Sequence, residues 1–155
     1  MGLPLGNEAE PYSPVVAKLV SSIIVYSTWP QKPSKIDVCL VGPAEFADRL
    51  VSKRISGEKT LSVKKVSIST VAASGCNVAY LGRLSMQEQR AVTAGLKGQP
   101  VLVIAENDPA CRSNASICLL FQADSLSFRM NLDALSRSGV RIDPRVLRMG
   151  EQDPA

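Results

Sequence analysis

The stretch KIDVCLVG, residues 35–42, decides the fold of this chain. It is a short apolar run that stops at Gly42-Pro43, and this pattern predicts a buried strand. A second run of the same kind, PVLVIAEND at residues 100–108, ends in turn residues and predicts another buried strand. Segments with a helical period separate such strands, and this alternation is typical of a mixed sheet with helices on its faces. We therefore expect an α/β fold with helices on both faces of the sheet.

The predicted sheet has about six strands. The segments with strand signals are residues 35–42, 59–69, 76–82, 100–108, 117–122 and 126–130. In the segment 59–69 the alternation of apolar residues breaks at Lys64-Lys65, where a bulge or an edge strand fits.

Three longer segments place apolar residues at a helical period: residues 13–29, 43–53 and 84–98. In the first, Ser13 is expected to be the N-cap, with Pro14 at the first helical position. In the third, Ser85 and Glu88 have the spacing of a capping box. The first helix is expected to end at Trp29-Pro30, because the residue before a proline disfavours the helical conformation.

The length of 155 residues predicts one domain. We expect a flexible arm over residues 1–12, a single domain over residues 13–149 and a disordered tail over residues 150–155. No apolar run reaches 18 residues, so no segment is expected to span a membrane. The opening MGLPLGNEAEP has neither the basic nor the apolar region of a signal peptide, which indicates a cytosolic protein or a mature chain whose signal peptide has been removed.

The composition argues against most kinds of enzyme. The chain has no histidine, which excludes Ser-His and Cys-His nucleophiles and removes the usual ligand of catalytic zinc. The net charge of +4 comes without a basic patch interleaved with aromatic residues, so a nucleic-acid partner is not expected. We predict no catalytic residue, no metal site and no cofactor.

The four cysteines are Cys39, Cys76, Cys111 and Cys118. No CxxC pattern occurs, so neither a thioredoxin-like centre nor a common zinc ribbon is supported. Four buried reduced thiols and two disulfides remain equally compatible with the spacing, and three pairings are open.

Two carboxylates, Glu106 and Asp108, follow the strand at 100–108, where a ligand or a cation could lie. A solvated turn is the better interpretation of this loop.

The segment NLDALSRSGVRIDP, residues 131–144, has helix signals but no chemistry. Asn131 or Asp133 can cap a helix, Gly139 can end it, and Asp143-Pro144 can start a second short helix. Residues 129–149 contain five arginines and two aspartates, a net charge of +3. The segment is either a helix pair packed on the sheet or a docking surface with a cationic rim, and the two roles are compatible.

Several of these stretches together resemble the YfiR family. They are NLDALSRSGVRIDPRVL at 131–147, SGC at 74–76, YSTWP at 26–30, VLVIAEND at 101–108 and the cysteine pair at 111 and 118. The resemblance covers roughly residues 14–149 and implies a secreted α/β domain located in the periplasm.

The resemblance also implies partners. Members of this family are periplasmic repressors that bind the periplasmic sensor domain of a YfiN-like inner-membrane diguanylate cyclase and keep cyclic-di-GMP and biofilm formation low. A YfiB-like outer-membrane lipoprotein sequesters the repressor, and the repressor forms homodimers.

Residue roles follow from the same resemblance. Cys39 would pair with Cys76, and Cys111 with Cys118, and reduction would inactivate the protein. The partner-binding residues that it implies are Ile117 and the segment around Leu135, with Asn131, Asp133 and Arg137. We add Arg129, a charge that departs from the family pattern and that would restrict the protein to its own cognate cyclase. Our leading hypothesis is a redox-sensitive, non-enzymatic repressor. The alternatives are a periplasmic small-molecule-binding sensor module that tunes a membrane partner, and a cytosolic enzyme with four reduced cysteines.

Overall fold

The structure is a computed structural model that describes residues 2–57 and 59–149. Within these residues the helices are α1 (Tyr12–Val25), α2 (Met86–Gly95) and α3 (Leu132–Ser138), with short 3-10 helices at Val71–Ala73 and Pro144–Met149. The strands are β1 (Leu3–Pro4), β2 (Ser27–Thr28), β3 (Lys35–Val41), β4 (Lys53–Ser56), β5 (Lys59–Val66), β6 (Val78–Leu81), β7 (Leu102–Ala105), β8 (Ile117–Phe121), β9 (Ser125–Met130) and β10 (Arg141–Ile142).

The main sheet is mixed and has the strand order β1-β9-β8-β7-β6-β3-β5-β4. Strand β3, formed by the stretch KIDVCLV, lies between two parallel neighbours, β5 and β6. Strands β6, β7 and β8 continue in parallel, while β9 and β4 run antiparallel to their neighbours. Parallel strands are buried on both faces, which explains why β3 and β7 are nearly continuous apolar runs.

The six predicted strands are all present, as β3 and β5 to β9. The main sheet has two more strands than predicted, because β1 and β4 extend its two edges. A separate pair, β2 with β10, joins the end of α1 to the C-terminal segment.

Helices cover both faces of the sheet, as expected. The apolar stripe of α1, which includes Leu19 and Ile23, packs against residues of one face such as Tyr80 and Phe128. On the other face, Val92 of α2 packs in the cluster that contains both Cys39 and Cys118. This arrangement places the two cysteines on the α2 side of the sheet. None of the described helices is long and apolar enough to cross a membrane.

The helix predicted over residues 43–53 is wrong, since this stretch is an irregular loop followed by the start of β4. The buried carboxylate of Glu106 accepts hydrogen bonds from the backbone N–H groups of Glu45 and Phe46, both at 2.8 Å. These bonds hold the loop against the end of β7. Gly42 turns the chain out of β3 with a φ of +74°. The conformation of the loop after β3 therefore depends on Glu106, a residue distant in sequence.

The N-terminus of α1 also differs from the prediction. The helix begins at Tyr12, one residue before the expected N-cap Ser13, and Pro11 occupies the cap position. The Glu10 carboxylate accepts from the backbone N–H groups of Tyr12 (2.5 Å) and Ser13 (2.9 Å), and also from the Ser13 hydroxyl. The Glu10 carboxylate therefore satisfies two backbone N–H groups in the first turn of the helix and takes the place of the predicted serine cap. At the other end, α1 stops at Val25 and does not reach Trp29.

We expected a flexible arm over residues 1–12, whereas part of this segment is paired. Leu3 and Pro4 form β1 against β9, and the Leu3 side chain is buried. The Leu5 N–H donates to the Asp124 carbonyl at 3.2 Å. Burial of one leucine fixes the arm on the edge of the sheet. The tail predicted over residues 150–155 lies outside the described residues.

Candidate functional site

The two disulfides are Cys39–Cys76 and Cys111–Cys118, and no cysteine is free. This is the pairing that the resemblance implies. Because all four sulfur atoms are bonded in pairs, neither four reduced thiols nor a zinc site made of thiolates is compatible with this structure.

The first disulfide joins the middle of β3 to the loop before β6, with a Cα–Cα distance of 5.9 Å. Both of its residues are buried in the cluster under α2. This disulfide therefore cross-links the core of the domain and lies away from solvent.

The second disulfide closes a short ring at the start of β8, with a Cα–Cα distance of 5.5 Å. Cys118 is fully buried, whereas Cys111 is half-buried and has a φ of +56°. The ring is organised by the buried Asp108 carboxylate, which accepts from the backbone N–H groups of Arg112 (3.0 Å) and Ser113 (2.8 Å). Asp108 Oδ2 also lies 3.6 Å from Cys118 Sγ.

The carboxylates Glu106 and Asp108, considered above as a ligand site, both hold loops. Glu106 accepts from the Tyr80 hydroxyl at 2.7 Å in addition to the two backbone N–H groups of the loop after β3. Burial raises the pKa of Glu106, and burial together with the Glu106 carboxylate raises the pKa of Tyr80. The expected turn is present, but the expectation that it is solvated is wrong, because both carboxylates are buried and bonded to backbone N–H groups of the neighbouring loops.

The C-terminal segment follows β9 directly and is well capped. The Asn131 side chain accepts from the Ala134 N–H at 3.0 Å, which makes it the N-cap of α3. Gly139 ends the helix in the left-handed conformation, with a φ of +77°. The predicted second helix is the 3-10 helix that begins at Pro144. The helix signals of NLDALSRSGVRIDP are therefore confirmed.

The predicted partner-binding residues differ in exposure. Asp133 and Arg137 are exposed and form an ion pair at 3.2 Å one turn apart. Arg129 is exposed on β9 and forms no ion pair with the described residues. Leu135 is half-buried, because part of its side chain packs on the core. Ile117 is completely buried and has no surface to offer.

Sequence reasoning did not select the large apolar side chain that is most exposed among the described residues. Leu132, the first residue of α3, has 68% of its surface exposed. Successive residues in a helix are rotated by about 100°, so Leu132 lies about 200° from the buried Ala134. The sequence alone does not show that Ala134 is the buried position, so it held no signal that would have selected Leu132.

A groove between α2 and α3 adds a concave region beside these residues. Lys97 lies on the α2 side of the groove and Arg137 on the α3 side, and Val101 and Ser116 are among the residues that line it. The groove is therefore bordered by two cations. Cationic rims of this kind favour acidic protein surfaces.

A comparison with known protein families supports the resemblance noted in the sequence. The family model described as YfiR/HmsC-like matches residues 13–151, which is nearly the whole chain. Membership supports a periplasmic regulator of cyclic-di-GMP signalling, and the two disulfides fit a protein of an oxidising compartment. The chain belongs to the YfiR/HmsC-like family.

Proposed function

We propose that this protein is a periplasmic repressor that binds the periplasmic sensor domain of a YfiN-like inner-membrane diguanylate cyclase. By holding the cyclase in its inactive state, it lowers cyclic-di-GMP synthesis and biofilm formation. The observation that carries the proposal is the family match over residues 13–151.

The cyclase would bind what we call the α3 surface, which consists of Arg129, Leu132, Asp133, Leu135 and Arg137. An exposed apolar side chain surrounded by charged residues is the usual composition of a binding hot spot and its rim. Leu132 would enter an apolar depression of the partner, and the charged residues would set the orientation. Asn131 acts indirectly, because its side chain caps the helix that presents Leu132.

Repression by this surface needs no catalysis. A protein that binds the inactive conformation of the cyclase more tightly than the active one shifts the population toward the inactive state. The rigid caps of α3 would favour tight binding, because a preorganised surface loses little conformational entropy on association.

The disulfide Cys111–Cys118 provides the link to redox state. Cys118 lies in β8, and the Asn131 N–H donates to the Ser116 carbonyl at 2.9 Å in the strand entrance beside it. Reduction would make the ring around Asp108 more mobile. Because Ser116 lies in this ring and binds the Asn131 N–H, the start of α3 would then be held less firmly. Repression would therefore weaken in a reducing periplasm.

Two further interactions belong to the proposal because the family implies them. The protein would form homodimers, and a YfiB-like outer-membrane lipoprotein would sequester it and release the cyclase. Both act on the amount of repressor that is free to bind the cyclase.

The proposal is tested by expressing the protein with its cognate cyclase in the periplasm. Leu132→Asp should abolish capture of the purified sensor domain and raise cellular cyclic-di-GMP to the level seen without the repressor. Ala91→Asp is the control for an added charge, because Ala91 is exposed on α2 and is not among the residues that line the groove between α2 and α3. Full repression by a folded Leu132→Asp protein would exclude the α3 surface, and failure of the unaltered protein to bind the sensor domain would exclude the function.

A further inference from the structure

The outer edge of β5 is only partly covered by β4. The pairing between them runs from Ser56 opposite Lys59 to Lys53 opposite Leu61. The Val63 N–H then donates to the Ser52 hydroxyl oxygen at 2.8 Å, a side-chain contact that ends the ladder. Among the described residues, no strand pairs with the outer edge of β5 beyond this point, at residues 64–66.

The chain leaves this edge because the loop before β4 is held elsewhere. The Leu50 N–H donates to the Ala47 carbonyl at 3.0 Å, and both side chains are buried in the core under α1. The resulting turn carries the backbone away from β5 and leaves Val51 with half of its surface exposed.

A groove of ≈ 810 Å³ lies beside the open edge. Its lining includes the apolar side chains of Leu40, Ala47, Val51 and Val63. In a strand added to a sheet edge, every second side chain points to the same face. An extended segment bound along β5 would therefore direct an apolar side chain into the groove while its backbone pairs with the edge.

The charges around this edge are mostly positive. Lys53, Arg54, Lys64 and Lys65 are exposed on β4 and β5. Of the described residues that lie on these two strands or line the groove, Asp48 is the only carboxylate. Edge lysines oppose pairing with a second copy of the same edge, because like charges would then face each other. The same charges favour an acidic segment.

We infer that the open edge of β5 and its groove form a second docking site, which binds an extended acidic segment of a partner protein through strand addition and one inserted apolar side chain. This site does not depend on the proposed function. It lies toward the β4 end of the sheet, whereas β9, which leads into α3, lies near the opposite end. The two surfaces can be occupied at the same time.

The test uses the full chain labelled with ¹⁵N and a panel of heptapeptides in which valine, leucine or phenylalanine alternates with glutamate. We expect saturable shifts of the backbone amide signals of residues 63–66 and of Val51. Peptides with lysine in place of glutamate should bind at least about tenfold more weakly, and added salt should weaken the acidic peptides. No shift at millimolar peptide, or equal binding of the lysine peptides, would overturn the inference.

Charge-reversal variants test whether the acidic peptides bind at this edge. Lys65→Glu should weaken the acidic peptides by about tenfold or more, and Lys53→Glu provides the same test if the first variant does not fold. Lys18→Glu on α1 is the matched control for charge and should bind normally. Leu132→Asp should also bind the acidic peptides normally. Failure of the peptides to bind the edge of β5 would therefore not count against the proposed role of the α3 surface. Edge shifts that depend on protein concentration without peptide would identify a second copy as the occupant and refute the acidic partner.

Discussion

Cys118 lies directly opposite Arg129 in the antiparallel pair of β8 and β9. One residue of this pair belongs to the short disulfide ring, and the other belongs to the α3 surface. Side chains directly opposite in such a pair point to the same face of the sheet. The disulfide and the proposed docking surface are therefore coupled through one pair of strands.

This coupling predicts different effects for the two disulfides. Replacing Cys111 and Cys118 by serine should lower the free energy of unfolding by about 2.5 kcal/mol, and replacing Cys39 and Cys76 by about 4 kcal/mol, because the ring closed by Cys39–Cys76 is longer. Denaturant unfolding measures both values. The affinity for the cyclase sensor domain should nevertheless fall more in the first variant, because only its ring adjoins the α3 surface.

The affinities are to be measured where both variants remain folded, at low temperature and without denaturant. An equal loss of affinity in the two variants would indicate that the disulfides act through global stability. A loss confined to the Cys39 and Cys76 variant would contradict the coupling through β8 and β9.

The buried carboxylate of Glu106 predicts a change in both stability and pH dependence. Glu106→Gln should lower the free energy of unfolding by about 1–3 kcal/mol at about pH 7. The carboxylate accepts from Tyr80 and from both loop N–H groups with its two oxygens, whereas a glutamine amide has only one acceptor oxygen. Burial raises the pKa of Glu106, so the folded protein binds its proton more tightly than the unfolded chain does. The stabilisation linked to this proton is complete below the ordinary pKa of a glutamate and is lost as the pH rises through the folded value.

The difference in unfolding free energy between the unaltered protein and Glu106→Gln should therefore be larger near pH 4 than near pH 7. Urea unfolding of both proteins across this range is the measurement. A difference that grows as the pH rises would mean that hydrogen bonding to the ionised form outweighs burial. Tyr80→Phe is a useful comparison, because it removes one donor and keeps the carboxylate.

The same carboxylate shows where prediction from sequence fails. Phe46, Leu50 and Val51 have a helical period, yet the loop that contains them takes its shape from Glu106, about 60 residues later in the chain. Local periodicity carries no information about such a contact. Strands such as β3 and β7 were predictable because each is a compact apolar run bounded by turn residues, whereas the short edge strands β1 and β4 carry no such signal.

In the candidate site, too, features set by neighbouring residues could be predicted from the sequence, whereas features set by tertiary packing could not. The caps of α3 are local, so Asn131 and Gly139 were predictable from residue type and position. Exposure is not local, since it depends on which elements pack above each residue. For this reason Ile117 was expected at a surface although it is buried in the core cluster under α1, and Leu132 was not selected although it is exposed.

The C-terminus of α1 predicts a role for Lys59. Its ammonium group donates to the carbonyl oxygens of Ile24 (3.3 Å), Val25 (3.4 Å) and Ser27 (2.8 Å), at and just after the C-terminal end of the helix. Lys59→Met should lower the free energy of unfolding by about 1–3 kcal/mol, because hydrogen bonds from a charged donor are lost at the negative end of the helix dipole.

Thermal or urea unfolding measures this change. Lys18→Met is the matched control, since Lys18 is exposed on the same helix and should shift the unfolding free energy by less than about 0.5 kcal/mol. If the two variants lose the same stability, the contacts of Lys59 with the helix end contribute nothing specific.

The two leucines of α3 give the most direct test of how docking is separated from folding. Leu132→Asp should leave the free energy of unfolding within about 0.5 kcal/mol of the unaltered protein, because the side chain is largely in solvent. Leu135→Asp should lower it by about 1–3 kcal/mol, because part of this side chain packs on the core and an aspartate there would be poorly solvated. Both variants should lose repression of the cyclase, so their stabilities distinguish a lost contact from a weakened fold. A Leu132→Asp protein that is strongly destabilised would show that Leu132 supports the fold, and its loss of repression would then say nothing about docking.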